Sequence, residues 1–155
     1  MIHLEKHYRS GVGIVLRNRD QEIFIGRRKT PSPIGWQMPQ GGIDEGETPE
    51  EALWRELKEE VGTSKAQIVR VMENWLYYDI PEPYRSKWWG GQYYGQKQKW
   101  FLLDFVGYDS DIDIFATTPS EFCAWRWERP SEILGLAIYF KKNLYKEVLK
   151  ELAQL

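Results

Sequence analysis

GGIDEGETPEEALWRELKEEVGT, residues 41–63, holds a helix whose faces differ in character. Leu53, Leu57 and Val61 recur every four residues, a spacing that lines one side of an α-helix with apolar side chains. Trp54 lies at the margin of that stripe. Thr48 suits the N-cap, Pro49 the first helical position, and Glu51 stands where a capping box needs it. Gly62 supplies the stop. A helix is therefore predicted over residues 48–61. Glu56, Glu59 and Glu60 fall on another arc, beside Ala52. Glu56 and Glu60 are one turn apart, and like charges at that spacing repel by roughly 0.2–0.5 kcal/mol. Such a cluster is either a solvated acidic face or a site for a hard divalent cation such as Mg²⁺, which suits oxygen ligands.

Outward from this helix, short apolar runs at residues 11–17 and 22–27 flank Asn18-Arg19-Asp20 and predict a β-hairpin. Residues 28–47 carry four Gly and three Pro and predict a loop, with a short strand at Trp36–Met38. Strands are expected over residues 67–79, 98–107 and 122–128, with a Pro/Gly/aromatic loop at 80–95. A helical turn is expected from Ser131 to Leu134, ended by Gly135. Phe140, Leu144, Val148 and Leu152 keep helical spacing and predict an amphipathic helix over 138–153. This order implies an α/β chain of the α+β type, a mixed sheet between helices rather than a doubly wound βαβ fold.

The 155 residues fit one domain, 1–155. An apolar fraction of 42% argues against disorder. No run is long and apolar enough for a membrane span, and MIHLEKHYRSG does not read as a secretory signal. The lone Cys123 sits in an apolar run and reads as a buried structural thiol, in a reducing cytoplasm. His3 and His7 lack partners at metal spacing. A net charge of −2 excludes a global basic field, so an anionic substrate must be met by local cations or metal. Eight Trp and nine Tyr are more than core packing needs, and no role is evident for Trp88 and Trp89 beyond covering a site or packing on the surface.

At residues 41–63 the sequence resembles the Nudix box, G-x5-E-x7-R-E-U-x-E-E-x-G-U, with U a bulky aliphatic. Gly41, Glu47, Arg55, Glu56, Leu57, Glu59, Glu60 and Gly62 match; Thr63 departs at the last position. Seven fixed residue types, each at about 7% abundance, coincide by chance about once in 10⁸ placements. The resemblance implies a Nudix fold, a mixed sheet sandwiched between helices. It implies Glu56, Glu59, Glu60 and a carbonyl near Gly41 as ligands for Mg²⁺, with Mn²⁺ as a substitute. It implies that Arg55 pairs with Glu47 and orients the site. A metal so held screens phosphate charge and lowers the pKa of a bound water, and a carboxylate takes the proton.

WQMPQGG (36–42), GQKQKWFLL (95–103), PSEFCAWRW (119–127), FKKNLY (140–145) and YRSGVGIVL (8–16) resemble one branch of that family, the bacterial RNA pyrophosphohydrolases and the closely similar dinucleoside polyphosphate hydrolases. The likeness implies Glu121 as a metal ligand outside the box. It makes Arg9, Arg28, Gln96 and Lys97, with Arg27 and Lys99, candidates for phosphate contact. It makes Tyr78 and Phe140 a clamp for a purine or RNA base. The implied substrates are diadenosine tetraphosphate and the 5′ end of triphosphorylated RNA. The alternatives are a housecleaning hydrolase of nucleoside triphosphates or nucleotide sugars, and an inactive nucleotide- or RNA-binding module. The intact box carboxylates speak against the last. No obligate protein partner is evident.

Overall fold

The computed structural model describes residues 7–30 and 32–154; His3 lies outside them. The chain runs β1 (Tyr8–Arg17), β2 (Ile23–Arg28), β3 (Trp36–Gln37), β4 (Gln40–Gly42), α1 (Pro49–Val61), β5 (Ala66–Val71), β6 (Leu76–Asp79), α2 (Tyr84–Lys87), β7 (Gly95–Phe105), β8 (Phe122–Glu128), α3 (Pro130–Leu136) and α4 (Lys142–Leu152). Single 3₁₀ turns stand at Trp88–Gly91, Asp109–Asp111 and Tyr139–Lys141.

β1 and β7 pair in parallel over ten residues, from Tyr8 opposite Gly95 to Arg17 opposite Asp104. The sheet continues β3-β2-β1-β7-β5, while β4 joins β1, β6 joins β7 and β8 joins β2. Alternation along the central strands splits the core. Val12, Ile14, Leu16, Phe101 and Leu103 face the same side as Leu53 and Leu57 of α1. Val15, Trp100 and Leu102 face α3 and α4, against Ile133, Tyr145 and Val148. Both layers are buried, and with parallel and antiparallel pairs in one sheet this is a mixed sheet held between helices, as the resemblance implies.

α1 begins and ends on the expected residues. Thr48 Oγ1 accepts from Glu51 N–H at 3.1 Å, and Thr48 N–H donates to the Glu51 carboxylate at 2.9 Å. Gly62 closes the helix at φ +83°, where a Cβ would lie 2.1 Å from the Asp113 carbonyl oxygen. The segment expected as one strand over 67–79 is two. β5 pairs with the C-terminal part of β7 and β6 with its N-terminal part, with residues 72–75 turning between them. β4, a three-residue strand inside the glycine-rich loop, escapes the sequence pattern altogether. The 80–95 loop holds α2 and the 3₁₀ turn after it, and α3 continues through Gly135. The last helix starts at Lys142, so Phe140 sits in the preceding 3₁₀ turn. Cys123 is exposed, which overturns its reading as a buried thiol. In β8 it is Phe122 that turns inward, and strand alternation sends the next side chain outward.

Candidate active site

α1 lies over β4, and that contact assembles the acidic side of the site. Glu60 accepts the Gln40 peptide N–H at 2.9 Å. At Gly41 a Cβ would stand 1.9 Å from the Glu56 carboxyl carbon, so this carboxylate rests directly on backbone that only glycine leaves open. Arg55 fans across the same turn. It donates to both Glu47 oxygens at 2.7 and 2.8 Å, to Glu56 at 2.7 Å and to the Gly42 carbonyl at 2.7 Å. A planar guanidinium can serve these acceptors at once. Glu59, half exposed, lies 3.5 Å from Arg55.

Burial sets the protonation of these acids. Removal from water pushes the Glu56 carboxyl up to about 7, against the hydrogen bond from Arg55. Glu60 is buried more fully. Loss of water, then the charges of Glu121 and Glu56, push its carboxyl well above the usual range. By contrast the hydrogen bonds from Arg55 bring the Glu47 carboxyl down to about 2. Among the described residues no three acidic, histidine or cysteine side chains form a ready metal cage. The fit to a cation is electrostatic. Glu60 is buried, has no salt-bridge partner among the described residues, and is repelled by two neighbouring carboxylates. A hard divalent ion would relieve that repulsion, and every donor on offer is oxygen.

Beside the carboxylates opens a cavity of about 300 Å³. β3 and the start of β4 supply Gln37 and Gln40, and β6 and β7 supply Tyr78 and Gln96. Arg28 at the end of β2, Glu121 before β8 and Lys141 before α4 reach the same space, as do Lys87, Trp88 and Trp89. Gln40 Oε1 gathers Gln98 Nε2 at 2.6 Å and, at 3.4 Å each, Gln96 Nε2 and the Tyr78 hydroxyl. Trp100 Nε1 donates to Gln98 Oε1 at 3.2 Å, tying this polar network to the core.

Of the candidate phosphate contacts, Arg28 lines the cavity. Arg9 lies against Gly42, where a Cβ would come within 2.2 Å of its Nη2, and its charge is felt at Glu56 and Tyr78. Gln96 is buried and donates to the Tyr78 hydroxyl at 2.7 Å. Lys97 and Lys99 are not brought to the cavity. Strand alternation turns them away from Gln96 and Gln98, and both lie over the Trp75 ring. Arg27, exposed, alternates away from Arg28 in the same manner. Tyr78 and Phe140 do come together, at 6.3 Å between centroids and 23° between planes. A base between them would need about 7–8 Å, two contact distances, so the expected clamp is closed in this structure.

Lys141 escaped the sequence reading. It is buried, donates to Gln37 Oε1 at 3.1 Å, and feels both Glu60 and Glu121. Burial, with Arg28 nearby, lowers its ammonium to about 8, so it still carries charge at neutral pH. FKKNLY gave no signal to separate it from the solvated Lys142, because helical spacing alone does not reveal a 3₁₀ turn.

Buried carboxylates of α1 stand beside a cavity lined by cations, on a mixed sheet between helices, and the chain belongs to the Nudix family, hydrolases of phosphorus-containing acid anhydrides. The NUDIX domain model matches residues 7–152. Within that family the chain stands beside proteins named RNA pyrophosphohydrolase. It is 49% identical over 155 residues to the one from Wolbachia pipientis subsp. Culex pipiens (strain wPip), covering 100% of this chain and 95% of that one. It is 49% identical over 146 residues to the one from Rhodospirillum rubrum, covering 94% and 87%. The solved structure of the E. coli dihydroneopterin triphosphate pyrophosphohydrolase superposes with a TM-score of 0.72 at 19% identity, over 97% of this chain and 100% of that one, a likeness of fold.

Proposed function

We propose that this chain is a divalent-metal-dependent pyrophosphohydrolase that cleaves a polyphosphate chain attached to a nucleoside. Its favoured substrate is the 5′-triphosphate end of RNA, and dinucleoside polyphosphates such as diadenosine tetraphosphate are a second. The name carried by the relatives at 49% identity supports the first. The observation that carries the reading is Glu60, a buried acid that accepts the Gln40 N–H and feels the charges of Glu121 and Lys141, three residues lining a cavity that also holds Arg28. An anion-repelling cluster and anion-attracting cations side by side suit a metal-polyphosphate complex better than either ligand alone.

Glu56, Glu59, Glu60, Glu121 and the Gly41 carbonyl would hold Mg²⁺, or Mn²⁺ in its place. That ion, when bound, screens phosphate charge and acidifies water. The chain's own groups do the rest. Arg9, Arg28 and Lys141 bind and orient phosphate oxygens through charge-assisted hydrogen bonds. Arg55 holds Glu56 in place and keeps Glu47 ionised. A carboxylate of the cluster accepts the proton of the attacking water; the water oxygen bonds to phosphorus and the bridging bond opens. The setting we assign is the cytoplasm; among the described residues no helix is long and apolar enough to cross a membrane.

Turnover of 5′-triphosphate RNA, diadenosine tetraphosphate and simple nucleoside triphosphates with Mg²⁺ in ¹⁸O water tests this. The label identifies the attacked phosphorus. Preference for simple nucleoside triphosphates over both other substrates would overturn the substrate assignment. In the same assay Glu60→Gln should lose at least about 100-fold in kcat with its fold intact. Unchanged turnover would remove Glu60 from the metal site.

A further inference from the structure

Two of the arginines assigned to phosphate come from two strands, Arg9 at the start of β1 and Arg28 at the end of β2. Neighbouring residues of one turn reach both. The Arg28 guanidinium lies over the Trp88 ring at 5.1 Å, and that of Arg9 over the Trp89 ring at 4.8 Å. The backbone is bent to allow it. Trp89 sits in the left-handed region at φ 51°, followed by Gly90 at 69° and Gly91 at 75°. Trp88 is buttressed in turn by Tyr84, stacked at 5.6 Å, and by Phe140 at 6.2 Å.

A guanidinium held by its face keeps its N–H edge free, because stacking on an indole uses none of its donors. The cavity carries the mark of such an arrangement. Among the described residues three buried side-chain atoms have no hydrogen-bond partner, Arg28 Nη1, Gln37 Nε2 and Gln96 Oε1, and all three residues line this space. A buried donor without an acceptor is costly unless a ligand supplies one. Arg28 thus lies over the Trp88 ring, is unpartnered at Nη1, and shares the cavity with Glu121.

We infer that Trp88 and Trp89 are positioning residues for the polyphosphate, each indole holding one arginine flat so that its N–H fork meets phosphate oxygens. This rests on the polyphosphate reading of the site. It assigns to the tryptophan pair a role in substrate affinity, exerted through Arg28 and Arg9 rather than by contact with the reacting atoms.

The test compares W88A, W88F, W89A and W89F with the wild type on 5′-triphosphate RNA, with kcat and KM measured separately. Each alanine variant should raise KM about 3- to 30-fold, the span of cation–π strengths from exposed to desolvated sites, with kcat within about two-fold. The phenylalanine variants, which keep a ring, should recover most of the loss. In an R9A background W89A should add nothing. Unchanged KM, or a fall in kcat alone, would overturn the inference. So would an equal W89A penalty in the R9A background, which would mean that the indole touches substrate itself. Binding of inorganic pyrophosphate, read by tryptophan fluorescence, separates this from the functional reading. A wild type that ignores triphosphate RNA sinks that reading. The tryptophan pair is then judged on whether W88A and W89A weaken pyrophosphate binding; equal affinity in all variants overturns it.

Discussion

Glu56 and Glu60 leave water when α1 packs on β4, and each then prefers to hold a proton. The consequence for stability has a definite sign. A carboxyl whose folded value lies above its unfolded one binds more protons in the native state, so stability falls as pH rises between the two values. For Glu56 that window runs from 4.5 to about 7. A carboxyl displaced that far carries about 3 kcal/mol, and Glu60 adds in the same direction. Without metal, the protein should therefore resist urea better at pH 5.5 than at pH 8, and Glu56→Gln should flatten the slope. A metal-free protein more stable at pH 8 would contradict the burial of these acids. Saturating Mg²⁺ at pH 8 should restore stability, since an ion bound only by the native state offsets the cost of ionisation. At this scale the sequence was informative about residue type and silent about burial. Box spacing brings Glu47, Glu56 and Glu60 to α1 and its entry, where Arg55 bonds the first two and Glu60 meets β4. It cannot show that Lys141 is buried while Lys97 is turned away, because that depends on which strand face meets the cavity.

At the scale of elements, α1 was readable to the residue because its signals are local. The capping box, the proline at the start and the left-handed glycine at the end each act within four residues. Gly62 is the more demanding end. Alanine there meets both an unfavourable φ and the Asp113 carbonyl, so Gly62→Ala should cost about 1–3 kcal/mol of unfolding free energy in a denaturant titration, more than replacement of Thr48. A smaller loss would mean that residues 111–114 simply move aside. The strands were less legible for the opposite reason. β4 has three residues and exists through its register with Gly11–Gly13 of β1. β5 and β6 read as one because both alternate, and only the eleven-residue β7 offers each of them a separate stretch of edge. Non-local pairing of that kind leaves no trace in a window of ten residues.

For the whole molecule, the site is the line where two layers meet. The carboxylates arrive with the α1 layer, Lys141 and Phe140 arrive with the α4 layer, and Gln37 to Gln40 cross between them. Tyr145 ties the second layer to that crossing: its buried hydroxyl accepts the Met38 peptide N–H at 2.9 Å while its ring packs edge-on against Trp100. Removing the hydroxyl leaves a buried N–H without an acceptor, which costs about 1–3 kcal/mol. Tyr145→Phe should lose that much in urea. It should also raise KM for the polyphosphate substrate, because the released β3–β4 segment carries Gln37, the acceptor for Lys141, on one side of Met38 and Gln40, the donor to Glu60, on the other. Loss of stability without any change in KM would show that the two layers are joined mechanically elsewhere. A change in both would show that the segment between the layers transmits α4 packing to the chemistry on α1.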